Sequence, residues 1–206
     1  MLFRSGWCRD NGLMQKYHDE EWGEPVHDDR KQFEFLMMEV MQCGLNWSLM
    51  LKKREIFRKC FDNFDYEKTA LYGETQINDI LNTPDMIRSE RKIRAIINNA
   101  NMFLKIRQEF GSFDKYLWGF SDNKTIVYKA HADEGVPASN ELSDRISVDL
   151  KKRCFKYLGS ITVYSHLQAC GIINDHCTEC FRYGQLIGKD NRSEERRVGK
   201  ECRSRW

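Results

Sequence analysis

Apolar residues recur along most of this chain at the three-to-four-residue spacing of helices, and the two-residue alternation of strands is scarce. Asp28 and Asp29 are capping residues ahead of an apolar run that reaches Cys43, and Gly44 suits the turn that would end it. A second helix is expected from about Asn46 to Lys59, with Trp47, Met50, Leu51, Phe57 and Phe61 on its apolar stripe. Short helices follow at Asp65–Tyr72 and Thr75–Leu81. A long one over Ser89–Glu109 has Ile93, Ile96, Ile97, Ala100, Phe103 and Leu104 on one face. Phe113, Tyr116 and Leu117 mark another, Ile126–Pro137 reads as a loop, and two further helices fall near Ser139–Lys151 and Tyr157–Cys170. The pattern predicts an all-α protein.

Composition sets bounds on this picture. The chain has 206 residues, 41% of them hydrophobic, enough for one domain with a sizeable core. Mean hydropathy is −0.67 and no apolar run approaches 18 residues, so no membrane-spanning helix is expected. Met1–Ser5 lacks the apolar segment of a signal peptide. Eight cysteines in that setting read as reduced thiols or metal ligands rather than a disulfide framework, which suits a reducing cytoplasm.

Charge is uneven. Arg192–Trp206 holds six Lys/Arg and three Asp/Glu, so residues 1–191 carry a net charge of −1 where the whole chain carries +2. Arg192-Ser193-Glu194-Glu195 can be encoded by AGATCGGAAGAG, whose reverse complement encodes Leu2-Phe3-Arg4-Ser5. Residues 1–5 and 192–206 are therefore expected to be adapter-derived, leaving one domain over residues 6–191. The remaining basic clusters are Lys52-Lys53-Arg54, Arg88 with Arg91, Lys92 and Arg94, and Lys151-Lys152-Arg153. Such runs read as solvated faces. The middle one also follows the turn Asn82-Thr83-Pro84-Asp85 and opens the long helix, an arrangement that suits a helix–hairpin–helix grip on phosphate.

Glu39 is the anomaly in the first strong helix, because Phe35-Leu36-Met37-Met38-Glu39-Val40-Met41 is otherwise apolar. A buried carboxylate costs several kcal/mol unless it finds donors, so Glu39 is either bonded to backbone amides or functional. Trp7, Tyr17, Trp22 and Trp47 all lie within the first 47 residues. They either pack a core or line a pocket for a flat ring. A flipped nucleobase is such a ring, with aromatic faces to stack on it and a carboxylate to accept from its exocyclic amine. His176 and Cys180, four apart around Cys177, together with the distant His18, are zinc-type donors or else a helix-end histidine with buried thiols.

Several stretches stand in a distinctive order: Tyr17-His18-Asp19-Glu20-Glu21-Trp22-Gly23, Glu39 through Gly44-Leu45-Asn46-Trp47, Leu51–Glu55, Ile87-Arg88, Lys92-Ile93, Leu150–Gly159 and Gln168–His176. Together they resemble the 3-methyladenine DNA glycosylase I family, over roughly Gly6 to Cys180. The resemblance implies a helix–hairpin–helix fold of two helical lobes, joined by a zinc clasp between the N- and C-terminal segments. It also implies hydrolysis of the N-glycosidic bond of 3-methyladenine in alkylated duplex DNA, by a monomer needing no obligate protein partner. By the same resemblance Glu39 hydrogen-bonds the base, Tyr17 and Trp47 stack on it, and Trp7 and Trp22 line the pocket. Gly44 and Leu45 fill the gap left by the flipped nucleotide, and the turn at Asp85–Arg88 holds phosphate.

The implied zinc ligands are His18, His176 and Cys180. Ser5 stands where the family has a fourth ligand, a cysteine, and Cys8 is a nearby substitute. Met14 replaces a frequent aromatic and Asp85 a frequent glycine. Two other classes remain open on the residues: a noncatalytic damage-sensing module of the same fold, and a zinc-stabilised scaffold in which Glu39 is structural.

Overall fold

The computed structural model describes residues 3–8, 11–128 and 135–187. Nearly every described element is a helix. The longer ones are α1 (Gly12–Glu20), α2 (Asp29–Gln42), α3 (Trp47–Cys60), α5 (Glu74–Asn82), α6 (Glu90–Phe110), α8 (Glu141–Lys152) and α9 (Ser160–Ala169). Shorter ones are α4 (Tyr66–Thr69) and α7 (Phe113–Gly119), and residues 181–187 are also helical.

Helix α2 is the axis of the molecule. Asp28 caps it by accepting from the Lys31 amide at 2.8 Å. It ends where Cys43 leaves helical geometry and Gly44 takes φ +81°. Helices α3, α6, α7 and α9 pack around it. Every residue from Gln32 to Met41 is therefore buried. That encirclement is why the run around Glu39 has no polar face. Helix α6 supplies Ile93, Ile96, Ala100 and Phe103 to the same core and ends at Gly111, φ +86°.

Four features depart from the sequence reading, the first being the helix over residues 181–187. Helix α1 is absent from that reading. Its start is set by Asn11, whose side chain accepts from the Leu13 and Met14 amides. The stretch read as a loop from Ile126 contains a two-residue parallel bridge, Ile126–Val127 with Ile173–Asn174, while residues 129–134 lie outside the described set. Helix α9 begins at Ser160 rather than Tyr157, because Tyr157 sits at φ +61°.

The cluster Lys52-Lys53-Arg54 is not uniformly solvated. Arg54 is buried, donating from Nε to Glu34 at 2.6 Å and from its two terminal nitrogens to Glu21 at 2.7 and 2.8 Å. Burial alone would raise the Glu21 carboxyl, but Arg54 and Lys31 hold it at about 2. Replacing Arg54 by methionine removes three charge-assisted hydrogen bonds and leaves Glu21 to Lys31 and Glu34 to Arg58. It should cost about 1.5–3 kcal/mol in urea unfolding at pH 7. Because the folded Glu21 lies below its unfolded value, the network stabilises above about pH 4.5 and fades toward pH 2. An Arg54→Met protein within about 1 kcal/mol of the parent at pH 7 would show that the network contributes little.

Candidate active site

A cavity of about 260 Å³ opens beside the C-terminal turn of α2. Its walls come from Trp7, Tyr17 and Trp22 on the N-terminal segment, Glu39 and Gln42 on α2, and Trp47 at the start of α3. Met14, Val136, Ser165, Gln168 and Asp175 complete it. The volume lies just below the roughly 300–1,000 Å³ of pockets for drug-sized ligands, so it suits one small ring system.

Glu39 is 4% exposed, and among the described residues no hydrogen bond or ion pair reaches its carboxylate. Burial pushes its pKa up to about 8. The structural alternative of a carboxylate bonded to backbone amides is therefore not what the fold provides. Tyr17 is also buried, and desolvation, then the nearby Glu39, drive its hydroxyl well above the usual phenol range. Tyr17 and Trp47 meet at 50° with centroids 5.4 Å apart. They form a corner against which a ring can lie, not a parallel-sided slot. Trp7 closes the box, 5.1 Å from Trp22 at 77°.

Behind this wall lies the metal-type cluster. His18 Nε2 and His176 Nδ1 are 3.2 Å apart, and Cys180 Sγ is 3.4 and 3.5 Å from them. All three residues are buried. A tetrahedral zinc with the usual Zn–N and Zn–S lengths separates its ligands by about 3.3–3.6 Å, so the set fits. The outer ring nitrogens are already engaged: His18 Nδ1 lies 2.8 Å from Asp19 and His176 Nε2 lies 3.1 Å from the Trp22 carbonyl. With those nitrogens protonated, two imidazole lone pairs and a sulfur point at one spot, a donor set that calls for a cation. Trp22 packs on both imidazoles, so cluster and pocket share a wall.

The N-terminal segment docks on this cluster. Arg4 forms a forked ion pair with Asp19, and the Phe3 carbonyl accepts from the Phe181 amide. Ser5 is buried, its Oγ 3.7 Å from Cys177 Sγ. Cys8 is not among the converging donors; its Sγ lies on the Ser5 carbonyl at 3.2 Å. Residues 192–206 lie outside the described set.

The remaining expected site residues lie apart from the cavity. Gly44 and Leu45 form an exposed turn after α2, with Leu45 40% accessible. Asp85, at φ +63°, shapes the turn between α5 and α6. Its exposed carboxylate lies 3.2 Å from Lys53 Nζ, and Arg88 is exposed beside it. Sequence reasoning missed Gln42, Ser165, Gln168 and Asp175 as pocket walls. It also missed Lys92, which turns inward rather than toward solvent. Its Nζ donates to the Met41 and Cys43 carbonyls at 2.6 and 2.7 Å and so caps α2 below Gly44. Gln168 and Asp175 do fall in one of the stretches that carry the resemblance. Asp175 Oδ2 accepts from Tyr164 and Gln168 at 2.6 and 2.8 Å.

Fold and pocket together define a helical protein built around a small aromatic box with two buried acids, Glu39 and Asp175. A family model described as methyladenine glycosylase matches residues 7–183, and the chain belongs to that family. It is 40% identical over 180 residues to DNA-3-methyladenine glycosylase 1 of Escherichia coli (strain K12), covering 87% of this chain and 96% of that one. It is 35% identical over 180 residues to DNA-3-methyladenine glycosylase of Haemophilus influenzae, covering 87% and 97%. Among solved structures, a crystal structure of 3-methyladenine DNA glycosylase I superposes with a TM-score of 0.83 at 41% identity over 87% of this chain and 98% of that one.

Proposed function

We propose that this protein is a DNA repair glycosylase that hydrolyses the N-glycosidic bond of 3-methyladenine in alkylated duplex DNA. The observation that carries the reading is the unpartnered, buried Glu39 in a box of aromatic rings sized for one base. Solved relatives at 32% identity include one described as the structural basis of 3-methyladenine recognition by the Staphylococcus aureus enzyme.

The chemistry follows from the substrate. Methylation at N3 leaves the base cationic, so the bond from C1′ to the base is already weak. When it breaks, its electron pair passes to the base and neutralises it, and water adds to C1′ and gives up a proton. Little proton transfer to the leaving group is needed. The protein's task is to take the base out of the stack, recognise it and hold it while charge moves. Tyr17 and Trp47 offer the corner on which the base stacks, with Trp7 and Trp22 enclosing it. Glu39 accepts from the exocyclic amine and, on meeting the cation, is favoured in its charged form. Gly44 and Leu45 occupy the vacated position. The hairpin at Asp85–Arg88 meets phosphate through backbone amides and Arg88, since the Asp85 carboxylate itself would repel it.

His18, His176 and Cys180 would hold a structural zinc, which ties the two ends of the chain behind the pocket. The same reading makes the protein a cytoplasmic, bacterial monomer of helix–hairpin–helix type. Among the described residues no helix is long and apolar enough to cross a membrane.

Incubation with methylated duplex DNA should release free 3-methyladenine, detected chromatographically. If neither this chain nor its Ser5→Cys variant releases any, the noncatalytic reading replaces this one.

A further inference from the structure

Lys92 is a buried cation without a buried anion. It stands in the first turn of α6, is 8% exposed, and burial lowers its pKa. Among the described residues it makes no ion pair. Its Nζ instead donates to the Met41 and Cys43 carbonyls at 2.6 and 2.7 Å. A buried ammonium is costly unless an opposite charge offsets it, and a methionine of similar length fills the same space without that cost. Packing alone therefore does not account for a lysine here.

What the lysine holds is the shape of one turn. The Leu45 amide donates to the Gln42 carbonyl at 2.5 Å and closes a β-turn over residues 42–45. Its second residue, Cys43, lies at φ −38° and ψ 111°, and its third, Gly44, at φ +81°. These are the angles of a type II turn. A type I turn over the same residues differs by turning over one peptide unit, the one between Cys43 and Gly44. The carbonyl of that unit is the one Lys92 holds at 2.7 Å. The bond to Met41 fixes the same ammonium to the end of α2, whose last turn also carries Glu39 and Gln42. A side chain added at Gly44 would meet nothing within 4 Å, so glycine is needed there for its positive φ and not for space. Helix α6 itself begins just beyond the Asp85–Arg88 turn. One side chain thus joins the turn that presents the exposed Leu45 to the helix that follows the phosphate-gripping turn.

We propose that Lys92 is a positioning residue for base flipping: its ammonium holds residues 42–45 in the type II shape, so that Gly44 and Leu45 are set in advance to fill the space a flipped nucleotide leaves. The inference rests on the glycosylase reading above. It adds to it the group that keeps the inserting turn in one conformation before DNA arrives.

The test uses the full chain, a duplex with a central tetrahydrofuran abasic site, the same duplex undamaged, and free 3-methyladenine. Lys92→Met should weaken binding to the tetrahydrofuran duplex about tenfold or more, the equivalent of one charge-assisted hydrogen bond. Binding to undamaged duplex, and to free 3-methyladenine followed by tryptophan fluorescence, should stay within about twofold of the parent. Gly44→Ala should cause a loss of the same size, and the double variant no further loss, because both changes release the same turn. Parent-like binding of the tetrahydrofuran duplex by Lys92→Met overturns the proposal, as do losses that add in full in the double variant. A Lys92→Met protein that does not fold, or that also loses the free base, overturns it too, since the lysine would then support the core or the pocket at large. If the parent itself shows no preference for the tetrahydrofuran duplex, it is the base-flipping reading that fails, and this proposal with it.

Discussion

Replacing Glu39 by glutamine is expected to slow 3-methyladenine release by about 10²–10³-fold, the usual cost of removing one electrostatic group aimed at shifting charge. Affinity for undamaged duplex should be unchanged, because phosphate contact does not involve the pocket. The pH profile sharpens the expectation. In the empty pocket Glu39 stays protonated until about pH 8. If the charged form receives the cationic base, kcat/KM of the parent rises with pH and levels near pH 8, and the Glu39→Gln protein shows no such rise. Stability should move the other way. The folded value lies above the ordinary 4.5, so between pH 4.5 and 8 the unfolded chain releases a proton that the folded one keeps. The parent therefore loses stability with rising pH across that window, by up to several kcal/mol, and the Glu39→Gln protein does not. The Tm difference between the two should be small near pH 4.5 and favour Glu39→Gln at pH 8. A Glu39→Gln protein that melts lower than the parent at pH 8 while releasing base at the parent's rate would make Glu39 a structural residue.

Glu39 also marks how far the order of residues alone is legible. It stands out because the run from Phe35 to Met41 is otherwise apolar, and local spacing is what a sequence displays best. The capped starts of α2 and α3, at Asp28 and Asn46, are visible for the same reason. Helix α1 is not, since its stability comes from packing on α3 and the N-terminal segment rather than from a long apolar stripe. Arg54 and Lys92 look like ordinary members of basic clusters. Whether a cation is solvated depends on partners distant in sequence, here Glu21 and Glu34 for one and the carbonyls of Met41 and Cys43 for the other. Asp175 and Gln168 escape as pocket walls for the same reason: each comes to the cavity from a segment far beyond Glu39 in the chain.

The second large effect is expected at the His18–His176–Cys180 cluster. Zinc takes a cysteine as thiolate and histidines as neutral imidazoles, so these side chains offer it three strong donors. Ser5, buried on the segment that docks there, offers only a hydroxyl. Ser5→Cys should therefore tighten zinc binding by more than the roughly 10–100-fold associated with outer-sphere changes, measured by competition with a chromophoric chelator. Because zinc binds the folded chain, Tm should rise with added zinc in the parent and rise further in the Ser5→Cys protein, and chelator should reverse both. Cys180→Ser should abolish the zinc-dependent part of Tm. Trp22 lies against both imidazoles and also forms the pocket wall, so metal loss should loosen the aromatic box and weaken free 3-methyladenine binding together with Tm. Equal zinc affinity in the parent and the Ser5→Cys protein would mean that position 5 does not face the ion, and that the three converging side chains hold it with a ligand from solvent.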